Sequence, residues 1–345
     1  MAELSRYHRQ ILFPAIGEAG QRQLGLSRVL LCGCGALGTV LAETLVRAGV
    51  GFLRLVDRDF VELTNLQRQV LFDEQDLADQ LPKAVAAARK LRLINSQVTV
   101  EPHVADVSPA NVLNLATGVD LILDGTDNFE TRFLLNDVSL ELGIPWVYGG
   151  CIGSHGQVMP IFPGETACLR CLIEEVPAPG TTETCDTAGI LGPTVNMIAS
   201  LQAVQALKIL SGHRDQVEAS LHILDVWDGT LRKMSVKNLR DQGQCPACCK
   251  GERSWLHGDR ASQTAVLCGR NAVQVSPAER RQIGLVEFAE KLRASGQVTV
   301  NPFLLRLVVQ DGAYEITLFA DARAIIKGTD DPSVAKSLYA RYVGA

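Results

Sequence analysis

Over the first two thirds of the chain, short apolar runs alternate with stretches whose apolar residues recur at helical spacing. Val29–Leu31, Phe52–Val56, Val98–Glu101, Leu121–Asp124 and Trp146–Gly149 read as buried strands, being brief and rich in Val, Leu and Ile. Gly38–Ala48, Pro82–Leu93 and Glu130–Leu142 read as helices. Strand and helix in alternation predict βαβ units, and therefore a mostly parallel sheet with flanking helices. A further helix is expected over Thr194–Ser211, because "TVNMIASLQAVQALKILSG" is apolar almost all round and ends at Gly212, which suits the left-handed turn after a helix. A helix of that composition belongs in a core or at a subunit interface.

The pattern changes after "CPACCKGERSW". Ser276 and Pro277 supply a cap and a first-turn proline for a helix running to about Ser295. "QDGA" at 310–313 offers a turn between the strands "FLLRLVV" and "YEITLFA", and Asp331-Pro332 opens a last helix. The chain therefore divides into residues 1–251 and a small C-terminal α+β domain over 252–345.

Composition narrows the class. With 345 residues, 47% of them hydrophobic, the chain can bury a substantial core. A formal charge of −5 leaves no general basic footprint for nucleic acid. The opening "MAELSRYHRQILFP" mixes charged with apolar residues, unlike an export signal, and no run approaches the length of a membrane span, so a cytoplasmic location is expected. Under that expectation the ten cysteines point to metal binding or thiol chemistry in preference to disulfides.

Gly33, Gly35 and Gly38 form G-x-G-x-x-G directly after the first strand and at the head of a helix. The first allows a tight turn, the second lets backbone approach a phosphate, and the third permits close helix packing. Asp57, nineteen residues beyond Gly38, ends the next strand, where a carboxylate can accept both ribose hydroxyls. These features predict a Rossmann-like fold, and alone they suit an NAD-dependent oxidoreductase.

The residues that follow favour a triphosphate. "DRDFVELTNLQRQVLF" sets Asn65, Gln67, Arg68 and Gln69 behind the ribose acid, and Lys83 opens the next helix. Cleaving a triphosphate requires the charge on departing pyrophosphate to be neutralised, which a hydride carrier does not. Asp127 and Asn128 follow the strand ending at Asp124, outside the carboxyl ends of the strands of an open parallel sheet, where ligands bind, so Asp127 is placed to hold Mg²⁺ on the phosphates of ATP. Cys168 and Cys171, with Cys245 and Cys248, make two C-x-x-C pairs suited to tetrahedral structural Zn²⁺, although Cys249 could replace Cys248. Cys32, Cys34, Cys151 and Cys268 read as packing residues. His8 and His155 receive no role.

"RYHRQILFP", "GCGALGTVLAETLVRAGVG", "LVDRDFVELTNLQRQ", "DGTDNFETRFLLND", "GGCIGSHGQV", "CLRC" and "CPAC", in that order, resemble the MoeB/ThiF/HesA family, bacterial relatives of ubiquitin-activating enzymes. The resemblance covers about residues 5 to 250. It implies ATP- and Mg²⁺-dependent adenylation of the C-terminal glycine of a small ubiquitin-fold sulfur-carrier protein ending in Gly-Gly, in thiamine or molybdopterin synthesis or a related thiolation pathway. It implies that Gly35 lies against the nucleotide, Asp57 holds the ribose, Asn65, Arg68 and Lys83 contact phosphates, and Asp127 organises Mg²⁺. It further implies a homodimer in which Arg9 reaches the partner protomer's site. Cys185, in the polar stretch "TTETCDTAGILGP", stands where relatives form a thioester or persulfide with the carrier, although adenylation does not need it.

The tail departs from the family pattern. Its one cysteine, Cys268, lies in "AVLCGRNAV" without the cysteine loop of a rhodanese domain, so no sulfurtransferase activity is read from it. Carrier docking or dimer support is the role expected of it. Gly344-Ala345 is not a Gly-Gly end, so the chain is not itself a carrier unless processed. The alternatives are an NAD-dependent oxidoreductase with a structural zinc and a non-catalytic binding scaffold.

Overall fold

The computed structural model describes residues 2–176, 188–241, 243–259, 264–267, 271–276 and 282–343. It divides into two compact units, the first spanning Met1–Cys185 and Gly189–Arg260 and the second Asp186–Ala188 with Ala261–Ala345.

The first unit is built on an eight-stranded sheet. Its strands are β1 (Arg28–Cys32), β2 (Phe52–Asp57), β3 (Thr99–Val104), β4 (Leu121–Asp124), β5 (Trp146–Ile152), β6 (His155–Ile161), β7 (Ser220–Asp225) and β8 (Thr230–Ser235). They run in the order β3-β2-β1-β4-β5-β6-β7-β8. The five strands from β3 to β5 pair in parallel, with Cys32 opposite both Val56 and Asp124, and the remainder pair antiparallel. The parallel strands are buried on both faces: Leu30, Leu31, Leu53, Leu55, Leu121 and Ile122 are all inaccessible. Pro102 sits on the edge strand β3, where the lack of an N–H costs no ladder bond between strands.

The helices are α1 (His8–Ile11), α2 (Gly17–Leu26), α3 (Ala36–Ala48), α4 (Glu74–Ala78), α5 (Lys83–Ile94), α6 (Val112–Ala116), α7 (Phe129–Leu142), α8 (Leu169–Leu172), α9 (Gly192–Leu210) and α10 (Lys237–Asp241). The apolar helix α9 packs on α3, β5 and β6, which explains why it has almost no polar face. Gly212, at φ +89°, follows its end in the left-handed conformation expected of that glycine. Trp255 closes the core of this unit, its ring 5.4 Å from that of Phe133, while Asp137 Oδ2 accepts from the N–H groups of Trp255 and Leu256.

The second unit is a six-stranded antiparallel sheet. Its strands are β9 (Thr264–Leu267), β10 (Ala272–Val275), β11 (Gln297–Val300), β12 (Leu304–Val309), β13 (Tyr314–Phe319) and β14 (Ala324–Lys327), in the order β11-β12-β13-β14-β10-β9. Leu305, Leu307 and Val309 alternate along β12 to face α11 (Leu285–Leu292) and α12 (Pro332–Tyr342) in one apolar core. Asp331 caps α12 by accepting from Ser333 N–H at 2.7 Å, and the 310–313 turn joins β12 to β13, both as the sequence predicts. The helix expected from Ser276 is observed only over Leu285–Leu292, with residues 277–281 outside the described set.

Sheet order fixes where a ligand can sit. Strands run outward in both directions from β1, so a crevice opens beyond the carboxyl ends of β1 and β4. At its base, a Cβ on Gly38 would lie 2.0 Å from the carbonyl oxygen of Gly33. Alanine there would gain about 1 kcal/mol of helix propensity and lose more to the clash. We expect Gly38→Ala to destabilise the first unit by about 3 kcal/mol or more in urea unfolding; an unchanged midpoint would show that the turn relaxes freely.

Candidate nucleotide site and tetrathiol cluster

The turn after β1 is shaped by close backbone contacts. Gly33, at φ +89°, donates its N–H to Val56 O at 2.8 Å, and a Cβ there would lie 2.5 Å from Gly125 O. Gly35 caps α3, and a Cβ on it would meet only Gln69 Nε2, at 3.9 Å. An open glycine face thus lies at the N-terminus of a thirteen-residue helix, where unpaired N–H groups favour an anion.

Asp57 ends β2 and is tied to this turn. Its Oδ2 accepts from Cys34 N–H at 2.6 Å and its Oδ1 from Asp59 N–H at 2.7 Å, which orients both oxygens. Burial raises its carboxyl above the ordinary value, with Lys83 opposing. Lys83, the first residue of α5, is 3% exposed and places Nζ 3.4 Å from Asp59 Oδ2. Arg58 reaches Asp106 at 3.1 Å and Asp59 at 3.8 Å. Burial works against the charge on Arg58, but Asp106 and Asp59 more than offset it and raise its pKa.

The far side of the crevice is formed after β4. Asp124 is fully buried, with Thr126 donating N–H and O–H to Oδ1 at 2.9 and 2.7 Å and Arg132 Nε 3.4 Å from Oδ2. Burial raises its carboxyl and Arg132 pulls it down. Asp127 is exposed in the loop, near enough to Arg58 and Arg132 to strengthen the positive charge on both. Asn128 uses its side-chain oxygen to cap α7, accepting from Thr131 N–H at 2.8 Å.

The expected residues divide by placement. Gly33, Gly35, Gly38, Asp57 and Lys83 converge on the β1 and β2 ends, with Asp127 and Asn128 on the loop following β4. Asn65 is buried and closes a short 3₁₀ turn by accepting from Glu62 N–H at 3.1 Å, while Arg68 donates to Thr64 O at 2.8 Å and Gln67 is exposed. Arg9 is exposed on α1 and makes no ion pair among the described residues. Cys185 lies outside the described residues. Three residues that sequence reasoning left without a role belong to this neighbourhood: Asp59, Gln69 and Arg132. Gln69 is buried, and its Oε1 lacks a hydrogen bond among the described residues. The signal for Asp59 was the D-x-D spacing at a strand end; nothing in one sequence marks Gln69 as buried.

The two C-x-x-C pairs meet. Sγ separations are 3.9 Å for Cys168–Cys171, 3.6 Å for Cys168–Cys245 and 3.4 Å for Cys171–Cys248, and all four sulfurs lie within 4.8 Å of one another. Zinc–sulfur bonds of about 2.3 Å in a tetrahedron require sulfur edges of about 3.8 Å, so the quartet could hold zinc. Cys245 is pushed toward thiolate, first by hydrogen bonding from Cys168. Cys249 lies outside the quartet: exposed, its Sγ is 3.8 Å from that of Cys248 and faces Arg240 O at 3.6 Å. Cys32 and Cys34 are buried and their thiols are raised chiefly by that burial, which suits packing rather than nucleophilic chemistry.

These features define a Rossmann-like α/β protein with a ligand crevice at the sheet's switch point and a tetrathiol cluster. The chain belongs to the ThiF family, whose profile matches residues 7–247. It is 42% identical over 340 residues to the sulfur carrier protein ThiS adenylyltransferase of Bacillus subtilis (strain 168), covering 98% of this chain and 99% of that one. It is 38% identical over 251 residues to a sulfur carrier protein adenylyltransferase of Thermus thermophilus, covering 71% and 91%. The crystal structure of E. coli MccB with ATP shares the fold, with a TM-score of 0.59 at 22% identity over 71% of this chain and 73% of that one.

Metal analysis of purified variants checks the quartet. We expect Cys249→Ser to retain zinc at the level of the unsubstituted protein and Cys248→Ser to lose most of it; the opposite pattern would place Cys249 in the site.

Proposed function

We propose that this chain is an ATP-dependent adenylyltransferase that activates the C-terminal glycine of a small ubiquitin-fold sulfur-carrier protein. The observation that carries this reading is the buried Lys83, ion-paired with Asp59 and near enough for its charge to act on Asp57 and on Cys34 in the glycine turn after β1. A nicotinamide cofactor has no need of that buried cation, whereas a triphosphate losing pyrophosphate does. The relatives named as sulfur-carrier adenylyltransferases support the same reaction and substrate class. The pathway is thiamine or molybdopterin synthesis, or a related thiolation route.

The carrier carboxylate is already ionised at neutral pH, so the site needs no general base. Its task is to overcome repulsion between that carboxylate and the α-phosphate. In this reading Asp57 accepts the ribose hydroxyls, the α3 N-terminus and Lys83 take phosphate charge, and Arg68 and Asn65 contact the phosphate chain. Asp127, with Asn128 beside it, would hold Mg²⁺, which neutralises phosphate oxygens when bound. The thiol quartet would hold structural Zn²⁺, tying the start of α8 to the segment after α10.

Arg9 completes the site from the partner in a homodimer. Exposed Leu12 and Phe13 beside it, and Met197 and Val204 on one face of α9, supply apolar surface for that contact. After adenylation, the Cys185 thiol attacks the acyl carbon and displaces AMP to form a thioester, or, once loaded with sulfane sulfur by a separate persulfide donor whose own thiol is released, attacks through its outer sulfur and displaces AMP. No helix among the described residues is long and apolar enough to cross a membrane, and a cytoplasmic location suits a cluster of reduced thiols.

ATP–pyrophosphate exchange with a panel of Gly-Gly proteins tests the assignment. We expect exchange that depends on one carrier, and a fall of about a hundredfold or more for Asp127→Ala. Exchange at the normal rate in that variant would remove Asp127 from its role, and exchange with no carrier would remove the function. Cys185→Ser is expected to exchange normally and to fail in sulfur delivery; delivery at the usual rate would dispense with the covalent step.

A further inference from the structure

Among the described residues, the buried ammonium of Lys83 has one ion-pair partner, Asp59, at 3.4 Å. An ammonium offers three donors, and charge-assisted bonds to carboxylate close to about 2.7–2.9 Å. The cation is therefore held by a single long bond, with donor capacity left over, where water scarcely reaches. Asp59 itself is fixed in place. Its N–H donates to Asp57 Oδ1 at 2.7 Å, its carbonyl accepts from Lys83 N–H at 2.9 Å, and Arg58 Nε lies 3.8 Å from its Oδ1. Its carboxylate thus stands between two cations, two residues beyond the acid assigned to the ribose.

We propose that Asp59 is a positioning residue: its carboxylate occupies Lys83 in place of phosphate while the nucleotide site is empty, yields the ammonium when ATP arrives, and takes it back as pyrophosphate leaves. This rests on the nucleotide site described under the proposed function. The stem of Lys83 is already fixed by burial and by the start of α5, so the Asp59 side chain contributes charge more than shape. A competing carboxylate weakens the grip on polyphosphate in substrate and product alike. It leaves the hydrogen bonding of the ribose acid untouched, because its contact there runs through backbone, and its charge acts on that acid only by disfavouring the ionised form. Interactions equal in substrate and product complexes slow product departure without aiding chemistry, and Asp59 removes part of that excess.

The test is Asp59→Asn in the full chain. The expected result is a KM for ATP and an inhibition constant for pyrophosphate that both fall about tenfold, a lower kcat, adenosine affinity within about twofold of normal, and recovery in Asp59→Glu. A purely structural role would instead weaken adenosine and ATP together. That outcome, or ATP and pyrophosphate constants equal to those of the unsubstituted protein, overturns the proposal. If no carrier supports exchange, the adenylation reading fails separately, and calorimetric titration of both proteins with ATP, pyrophosphate and adenosine still decides the role of Asp59.

Discussion

The close crossing of β1 and α3 is the constraint on which the site depends. Gly33 O occupies the place of a Gly38 side chain, and Gly125 O lies where a Gly33 side chain would be. Three stretches of backbone therefore meet with no side chain between them. That contact sets the head of α3 at the switch point and brings Cys34 N–H within 2.6 Å of Asp57. Any residue that forced the crossing apart would move the head of α3 away from Asp57, although neither carries the clash.

Charge in the crevice is arranged in neighbouring opposites. Arg58 lies between Asp106 and Asp59, Lys83 faces Asp59, and Arg132 faces Asp124. Unpaired cations at such depth would be costly to desolvate, and unpaired carboxylates would protonate. The pairs hold Arg58, Lys83 and Arg132 in place around the crevice. Asp127 differs in being exposed, with its charge felt by Arg58 and Arg132, and so remains open to a ligand from solution.

Much of this was legible in the sequence. The five parallel strands and the helices α3, α5, α7 and α9 fall within a few residues of their expected positions, because buried parallel strands and two-sided apolar helices leave strong periodic signals. Gly33, Gly35, Gly38 and Asp57 were readable for a local reason: strand, turn and helix follow one another directly. The antiparallel strands β6 to β8 were not anticipated. β8 is exposed along its whole length, so burial imposed no apolar pattern on it. Asp59 was left without a role although a D-x-D spacing at a strand end could have marked it, and nothing marked its partner, since Lys83 comes close only through the fold. The quartet's membership was likewise undecidable between Cys248 and Cys249, which are adjacent in sequence and separated only by the direction of their sulfurs.

An adenylyltransferase of this kind makes an acyl adenylate on another protein. Intact mass spectrometry of candidate Gly-Gly carriers, after brief incubation with the protein, ATP and Mg²⁺, reads that product directly. One carrier is expected to gain the mass of a single AMP group, lost again on treatment with hydroxylamine. Carriers of unchanged mass throughout, with ATP bound but not consumed, would contradict it.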